Sequence, residues 1–314
     1  MNKVLEILRS EEQADAAVHF DMWSLLEPEN KKLLDLIIER LLNRQKQGKK
    51  TDELTLALEG QKQDMASGQK VMRNALFNDK PSYAPLGDDV ERVPMPIEHR
   101  LNEESFLKLV RRRESVRDYT SEPVSLQAIA TILFLSYGIR LEMPISKDQP
   151  IPYFLNSPSG GGLMSTRLYF VAMNVEGLKR GLYQFDTQSF SMELISHGEV
   201  RGKMYELCSY QDWVTRAGGV FVLVSDLDRL SWKYEKRSYR LTHLDAGVLG
   251  QSLHLAATSV GLGSSMLFGF FDDEMNQFIG VDGDRRFVSL LLTVGNPVPK
   301  YSSLSGDLAK DSRN

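Results

Sequence analysis

Hydrophobic positions recur at helical spacing in the first part of the chain and in short unbroken runs in the second, and the change falls near residue 100. Residues 28–47, PENKKLLDLIIERLLNRQKQ, place Leu33, Leu34, Ile37, Ile38, Leu41 and Leu42 along one helical face. Pro28 suits a first helical turn, and Gly48 follows the run as a stop. TDELTLALEG predicts a shorter helix, capped at Thr51 and stopped at Gly60. Pro81, Pro85, Pro94 and Pro96 then fall within residues 78–100, where they forbid regular structure and favour extended chain. The expected organisation is an N-terminal helical region over 1–77, an extended connection over 78–100, a main domain over 101–300 and a polar tail over 301–314.

Within the main domain the period alternates. NEESFLKLVRRR predicts a helix with a capping Asn102 and acids in its first turn. SLQAIATILFLSYG predicts a second, from Ser125 to a stop at Gly138. RLYFVAMNV (167–175) and GLYQFD (181–186) read as strands joined by a turn. GGVFVLVSDL (218–227) is a nearly continuous apolar run, as expected of a strand buried on both faces. THLDAGVLGQSLHLAATSVGLG (242–263) predicts a long helix with small residues on one side, stopped near Gly261. RRFVSLLLTVGNP (285–297) reads as a last buried strand. The pattern predicts an α+β domain with a mostly antiparallel sheet flanked by helices.

Composition narrows the function classes. With 42% hydrophobic and 25% charged residues in 314, the chain reads as a soluble globular protein of one large domain or two smaller ones. A net charge of -4 argues against a dedicated nucleic-acid binder. The single cysteine, Cys208, excludes an intramolecular disulfide and a cysteine metal cluster, and its polar surroundings offer no sequence partner to activate it. The N-terminal MNKVLEILRSEEQADA has acids and no apolar signal core, and no run approaches the roughly 20 apolar residues that span a bilayer. A cytoplasmic location without membrane attachment is expected. His243 and His254 lie on one predicted helix without ligand spacing, so no metal is predicted.

Three stretches carry candidate chemistry. In RRRESVRDYT, Arg113, Ser115 and Arg117 alternate just after a helix, and alternation in extended chain sets all three on one side. Two guanidinium forks and a hydroxyl suit a phosphate, although a basic helix end at Arg111 and Arg112 is the plainer account. In NSPSGGGLMS (156–165), Pro158 and the run Gly160, Gly161, Gly162 make either an ordinary turn or a loop whose backbone approaches a ligand closely. It is neither a Walker loop nor a dinucleotide fingerprint. In GLGSSMLFGFFDDE (261–274), Gly261 and Gly263 end the long helix, a short strand leads to Gly269 and Phe270, and Asp272 opens another helix. That pair can lie against a flat cofactor ring, or Phe268, Phe270 and Phe271 can simply be core.

In this order and spacing, RESVRDYTSEPVSLQAIATILFLSYGI, the SPSGGG loop and GLGSSMLFGFFDDEMNQFIGVDG resemble the nitroreductase superfamily of FMN flavoproteins. WKYEKRSYRLTHLDAGVLGQSLHLAA and NVEGLKRGLYQFD resemble, more narrowly, the SagB-type dehydrogenases, flavin oxidases that turn azolines into azoles in modified peptides. The resemblance runs from about Glu104 to Lys300 and leaves residues 1–100 uncovered. It implies a nitroreductase-like FMN-binding fold in an intertwined homodimer, with flavin at the subunit interface. It also implies that Arg113, Ser115 and Arg117 bind the FMN phosphate, that Pro158, Ser159 and Gly160 border the flavin, and that Gly269 and Phe270 approach the isoalloxazine. Gln251 is implied as a further cofactor contact, and Lys233-Tyr234 matches an adjacent Lys-Tyr pair needed for catalysis. The implied partners are an azoline-containing peptide and a cyclodehydratase complex. The sequence departs from the family after the glycine run, where it reads LMSTRLY, with Arg167 where an acid is common.

WKYEKRSYR (232–240) has three aromatic and four basic residues in nine, a composition also found in nucleic-acid stripes. The overall charge opposes that reading, and a solvated helix face accounts for Lys236, Arg237 and Arg240. Lys233 and Tyr234 point roughly 100° apart on a helix, so they reach one pocket only if the segment is irregular or lies at its lip. Aromatising an azoline removes two electrons and two protons, and a lysine can take one of those protons. An NAD(P)H-dependent reductase on the same fold, and a non-catalytic scaffold or leader-binding partner, are the alternative expectations.

Overall fold

Strand pairing organises the domain in the computed structural model, which describes residues 90–96, 105–142 and 153–299. The helices expected over 28–47 and 51–60, the cap at Asn102 and the tail over 301–314 lie outside the described residues. The chain begins with β1 (Arg92–Pro94), α1 (Phe106–Arg112), α2 (Leu126–Tyr137), β2 (Ile139–Glu142) and β3 (Tyr153–Leu155). Next come β4 (Thr166–Ala172), β5 (Gly181–Asp186), β6 (Ser191–His197), α3 (Arg201–Leu207), α4 (Asp212–Thr215) and β7 (Gly219–Asp226). It ends with α5 (Asp228–Tyr234), α6 (Ser238–Ser259), β8 (Gly263–Leu267), α7 (Asp272–Ile279) and β9 (Arg286–Gly295).

Seven strands form one sheet in the order β1-β6-β5-β4-β7-β9-β8, and every neighbouring pair is antiparallel. The remaining two, β2 and β3, pair separately. The continuous apolar run of β7 has a direct cause: all its residues are buried, and successive ones serve opposite layers. Phe221 and Leu223 join Leu168 and Phe170 of β4 and Leu290 and Leu292 of β9 in a core covered by α2 and α6. Val220, Val222 and Val224 join Tyr169, Val171 and Leu291 in a second core, covered by α3, α4 and α7. Burying each such side chain contributes about 1.5–3 kcal/mol, which makes the two-layered sheet the rigid frame of the domain.

Local chemistry sets the element ends. Ser105 caps α1 by accepting the Lys108 N–H, so the helix starts later than expected, and no acid stands in its first turn. Ser125 and Gly138 bound α2 as read from the sequence. Regular structure does occur inside the proline-rich connection: Pro94 ends β1, paired with Ser191 of β6. That strand lies at the sheet edge, the place where a residue without an N–H is tolerated. The long helix starts at Ser238 rather than Thr242, and Gly263 opens β8 instead of ending the helix.

Candidate functional site

Residues 156–165 form a loop tied down at both ends. Asn156 donates its side-chain amide to the Phe134 carbonyl at 2.7 Å and its backbone N–H to the Gly138 carbonyl at 2.9 Å, fixing the entry to the end of α2. The Ser159 hydroxyl accepts the Met164 N–H at 2.9 Å across the loop. Asp245, from α6, accepts the Gly160 N–H at 2.8 Å on one oxygen and the Ser165 hydroxyl at 2.7 Å on the other. Its side chain is buried, and burial pushes its pKa up while the bonds from Ser165 and Gly160 pull it down. Between these anchors Gly161, Gly162 and Met164 have φ of 62°, 66° and 49°. Glycine reaches that left-handed region freely, whereas Met164 is held there by the clamp.

Lys233 and Tyr234 meet this loop. A Cβ on Gly161 would stand 2.5 Å from the Tyr234 hydroxyl and 3.1 Å from the Lys233 amine. The Lys233 Nζ lies 5.3 Å from the centroid of the Tyr234 ring, and both residues are half-buried. Adjacent helical residues reach one point because the helix ends there: α5 stops at Tyr234, and Glu235 follows with φ of 51° and ψ of -131°. The buried Arg229 of α5 donates to the Leu163 carbonyl at 2.8 Å, tying the helix to the loop. Arg167 pairs with the buried Asp226, whose other oxygen accepts the Asp228 N–H at 3.1 Å where α5 begins.

The arginine segment lies farther along α6. After α1 the chain is extended; Ser115 bridges Ser264 of β8, and Val116 donates its N–H to the Ser264 carbonyl at 2.9 Å. Val116 packs on Gly263, where a Cβ would meet it at 2.6 Å. The alternation leaves Arg113 half-buried and Ser115 and Arg117 exposed, but the two guanidiniums have different neighbours. Burial lowers the pKa of His254 of α6, the Glu114 carbonyl opposes this, and the nearby charge of Arg113 makes a smaller contribution in the direction of burial. The guanidinium of Arg117 sits 5.6 Å from the centroid of the Trp213 ring in α4. Neither Arg113 nor Arg117 forms an ion pair among the described residues.

The glycine turn after β8 completes the set. Phe268 and Gly269 are exposed, and Phe270 packs against the second core. Gln211 donates to the Gly269 carbonyl at 3.1 Å and accepts the Trp213 indole N–H at 3.0 Å. Gln251 is exposed on α6. Apart from Gln251, the predicted residues therefore fall into two clusters, Lys233 and Tyr234 with the Pro158–Gly161 loop, and Arg113, Ser115 and Arg117 beside β8 with the Gly269–Phe270 turn that follows it. They border α6 near Asp245 and His254, about 14 Å apart along the helix axis. No set of three His, Cys, Asp or Glu residues stands together as a metal site among the described residues.

Residues 110–296 match the model of the nitroreductase family, more than half of the chain. The chain belongs to the nitroreductase family. It has the nitroreductase-like α+β fold, in a family of oxidoreductases whose members typically bind flavin. A Methanocaldococcus jannaschii protein classed by name as a nitroreductase is 27% identical over 213 residues, covering 68% of this chain and 100% of the relative. A nitroreductase-like structure from Anabaena variabilis is 27% identical with a TM-score of 0.55, covering 69% of this chain; this chain spans 45% of its length. One from Ralstonia eutropha has 18% identity and a TM-score of 0.55, covering 70% of this chain and 98% of that one. A chain of the Escherichia coli microcin synthetase McbBCD complex, solved with truncated pro-MccB17 bound, has 15% identity and a TM-score of 0.52. That match covers 92% of this nitroreductase-family chain and 100% of the other, and like the Ralstonia match it is a likeness of fold.

Asp245, Arg229, Gln211 and Trp213 are site neighbours that pattern reading passes over. The signal for Asp245 is a lone acid amid small and apolar positions of a predicted helix. The other three are ordinary surface or core types until the fold brings them to the glycine turns.

Proposed function

We propose that this chain is an FMN-dependent dehydrogenase that oxidises thiazoline or oxazoline rings of a modified peptide to thiazole or oxazole. The observation that carries this reading is the meeting of the Lys233 amine and the Tyr234 hydroxyl at Gly161. An amine and a phenol hydroxyl, both able to transfer protons, thus stand together at the side-chain-free glycine run 160–162. The donor set also suits FMN: among the described residues Arg113 and Arg117 form no ion pair, and Ser115 lies between them in sequence on exposed, extended chain, a combination of donors that can serve a phosphate monoester.

In this reading Arg113, Ser115 and Arg117 hold the phosphate, while Pro158, Ser159, Gly160, Gly269, Phe270 and Gln251 border the ring system. When bound, FMN supplies the two-electron acceptor, taking a hydride equivalent from the azoline. Lys233 removes the proton from the ring carbon α to the carbonyl, and Tyr234 orients the heterocycle and shares that proton. The two electrons and two protons lost on aromatisation are thereby assigned. The working form in this reading is a homodimer with flavin at the subunit interface. The microcin synthetase chain uses the same fold in a complex solved with truncated pro-MccB17, in keeping with a modified peptide as substrate.

A second reading, an NAD(P)H-dependent reductase, is favoured by the Methanocaldococcus relative, whose whole length aligns and whose name is that of a nitroreductase. The visible spectrum of the purified protein, followed anaerobically, separates the two. Bleaching of the flavin band by an azoline-bearing peptide supports the dehydrogenase; bleaching by NADPH alone supports the reductase. A chain without a flavin band after reconstitution with FMN leaves neither standing.

A further inference from the structure

The turn that bears Gly269 is held from one side by a segment to which no role has been assigned. Gln211 donates to the Gly269 carbonyl at 3.1 Å, and two residues on the Leu207 carbonyl accepts the Phe271 N–H at 2.9 Å. The turn is thus fastened to the end of α3 and to the connection that follows it, although Phe268 beside it is 71% exposed. That connection is itself strained. Ser209 and Tyr210 have φ of 55° and 60°, a conformation that costs non-glycine residues about 1–3 kcal/mol each. It is maintained by the Tyr210 N–H on the Tyr205 carbonyl at 2.9 Å and by edge-on packing of Tyr210 between Tyr205 and Phe271.

The same segment reaches the arginine arm. The Trp213 indole donates to Gln211 at 3.0 Å, which fixes the amide so that its NH2 faces Gly269, and the ring of Trp213 carries the guanidinium of Arg117. An unbroken series, Arg117, Trp213, Gln211, Gly269, therefore joins two motifs that lie more than 150 residues apart in sequence. The planar trans peptide adds a consequence. With the Gly269 carbonyl turned to Gln211, the N–H of Phe270 points the opposite way. That N–H has no hydrogen-bond partner among the described residues.

We propose that Gln211 and Trp213 are positioning residues of the cofactor site. Gln211 orients the Gly269–Phe270 peptide so that its N–H faces the flavin ring, and Trp213 holds Arg117 extended for the phosphate. This inference rests on the FMN reading above, and Gln211 and Trp213 themselves touch no reacting atom.

The test uses the full-length protein stripped of flavin and titrated with FMN, reading the dissociation constant and the shape of the bound visible band. Q211E keeps the size of the side chain and the acceptor for Trp213 but cannot donate to Gly269. Its band should shift, with its thermal midpoint near that of the wild type. W213L should weaken FMN binding about threefold to tenfold, since a cation–π contact at a partly exposed site contributes on that scale. W213F keeps a ring under Arg117 and loses the indole N–H, so it should retain affinity and reproduce part of the Q211E band shift. An unchanged band in Q211E, or unchanged or tighter FMN binding in W213L, overturns the proposal while the wild type still binds FMN. A wild-type chain that takes up no FMN overturns the underlying reading and this inference with it.

Discussion

The backbone of Gly161 lies so close to Tyr234 that a Cβ there would stand 2.5 Å from the tyrosine hydroxyl. The contact joins two conformations that resist substitution: Gly161 at φ of 62°, and the break at Glu235 that turns Tyr234 and Lys233 towards the loop. Gly161→Ala meets both constraints. It should cost about 1–2 kcal/mol through the left-handed backbone alone, seen as a lower urea midpoint, and should displace Tyr234. Ring oxidation should fall while FMN stays bound. A variant as active as the wild type would separate the glycine from the Lys233-Tyr234 pair.

Lys233→Ala should retain FMN and lose azole formation by about 10²–10⁴-fold, the usual contribution of a positioned proton acceptor. Tyr234→Phe removes only the hydroxyl nearest Gly161, so it should show a smaller loss with the same flavin occupancy. Comparing single-turnover bleaching rates in the two variants measures both effects, and full activity in Lys233→Ala would sink the assignment.

Arg113→Ala should release the cofactor. Charge-assisted hydrogen bonds to a phosphate contribute about 1.5–3 kcal/mol, so FMN affinity should drop roughly tenfold to a hundredfold. The loss should be smaller in high salt, where the wild type is itself weakened. Undiminished FMN occupancy would remove Arg113 from the phosphate site.

Asp245→Ala leaves the Gly160 N–H and the Ser165 hydroxyl without their shared acceptor, and Ser165 is fully buried. Unsatisfied groups of this kind cost about 1–3 kcal/mol. The loop between them carries Met164 at φ of 49°, so its conformation should relax once one end is released. The expected outcome is lower stability in urea and slower turnover, with phosphate-driven FMN affinity retained because the arginine segment does not contact Asp245. Unchanged turnover would confine Asp245 to packing.

The legible part of the fold is the part with a single dominant period. The run in β7 is continuous because both of its faces are covered, and α2 shows its ends through Ser125 and Gly138. β6, α3 and α4 escaped because SMELISH alternates over too few positions, and because RGKMYEL and DWVT are too short to establish a helical face. β1 escaped because proline argues against strands generally, although an edge position removes the objection. In the site, the motifs were visible as residue types at local spacing. The Trp213–Gln211–Gly269 series and the Asp245 clamp depend on contacts across the sheet and helix layers, and no local period encodes them. The divergent neighbours of Arg113 and Arg117 have the same origin. Alternation fixes the backbone direction of each side chain, but a long guanidinium stem settles against whichever helix is near.

His254 supplies a pH-dependent prediction. It is 3% exposed and its Nε2 lies 3.0 Å from the Glu114 carbonyl, an acceptor, so the proton of the neutral ring sits on Nε2. Burial lowers its pKa below the ordinary 6.5; the Glu114 carbonyl opposes this and the charge of Arg113 adds to it. The unfolded chain therefore takes up a proton near pH 6.5, while the folded chain takes it up only at lower pH. Between those values the unfolded state binds more protons, so this contribution is complete above pH 6.5 and is lost as pH falls through the folded value. His254→Gln keeps an amide donor for Glu114 and removes the titration. The stability advantage of wild type over this variant, from urea unfolding, should shrink as pH is lowered from 7 towards 5. A bound phosphate beside Arg113 would favour the protonated ring and flatten that slope. A slope identical in wild type and His254→Gln would show that the residue does not titrate differently on folding. A slope unaffected by saturating FMN would place the phosphate away from Arg113.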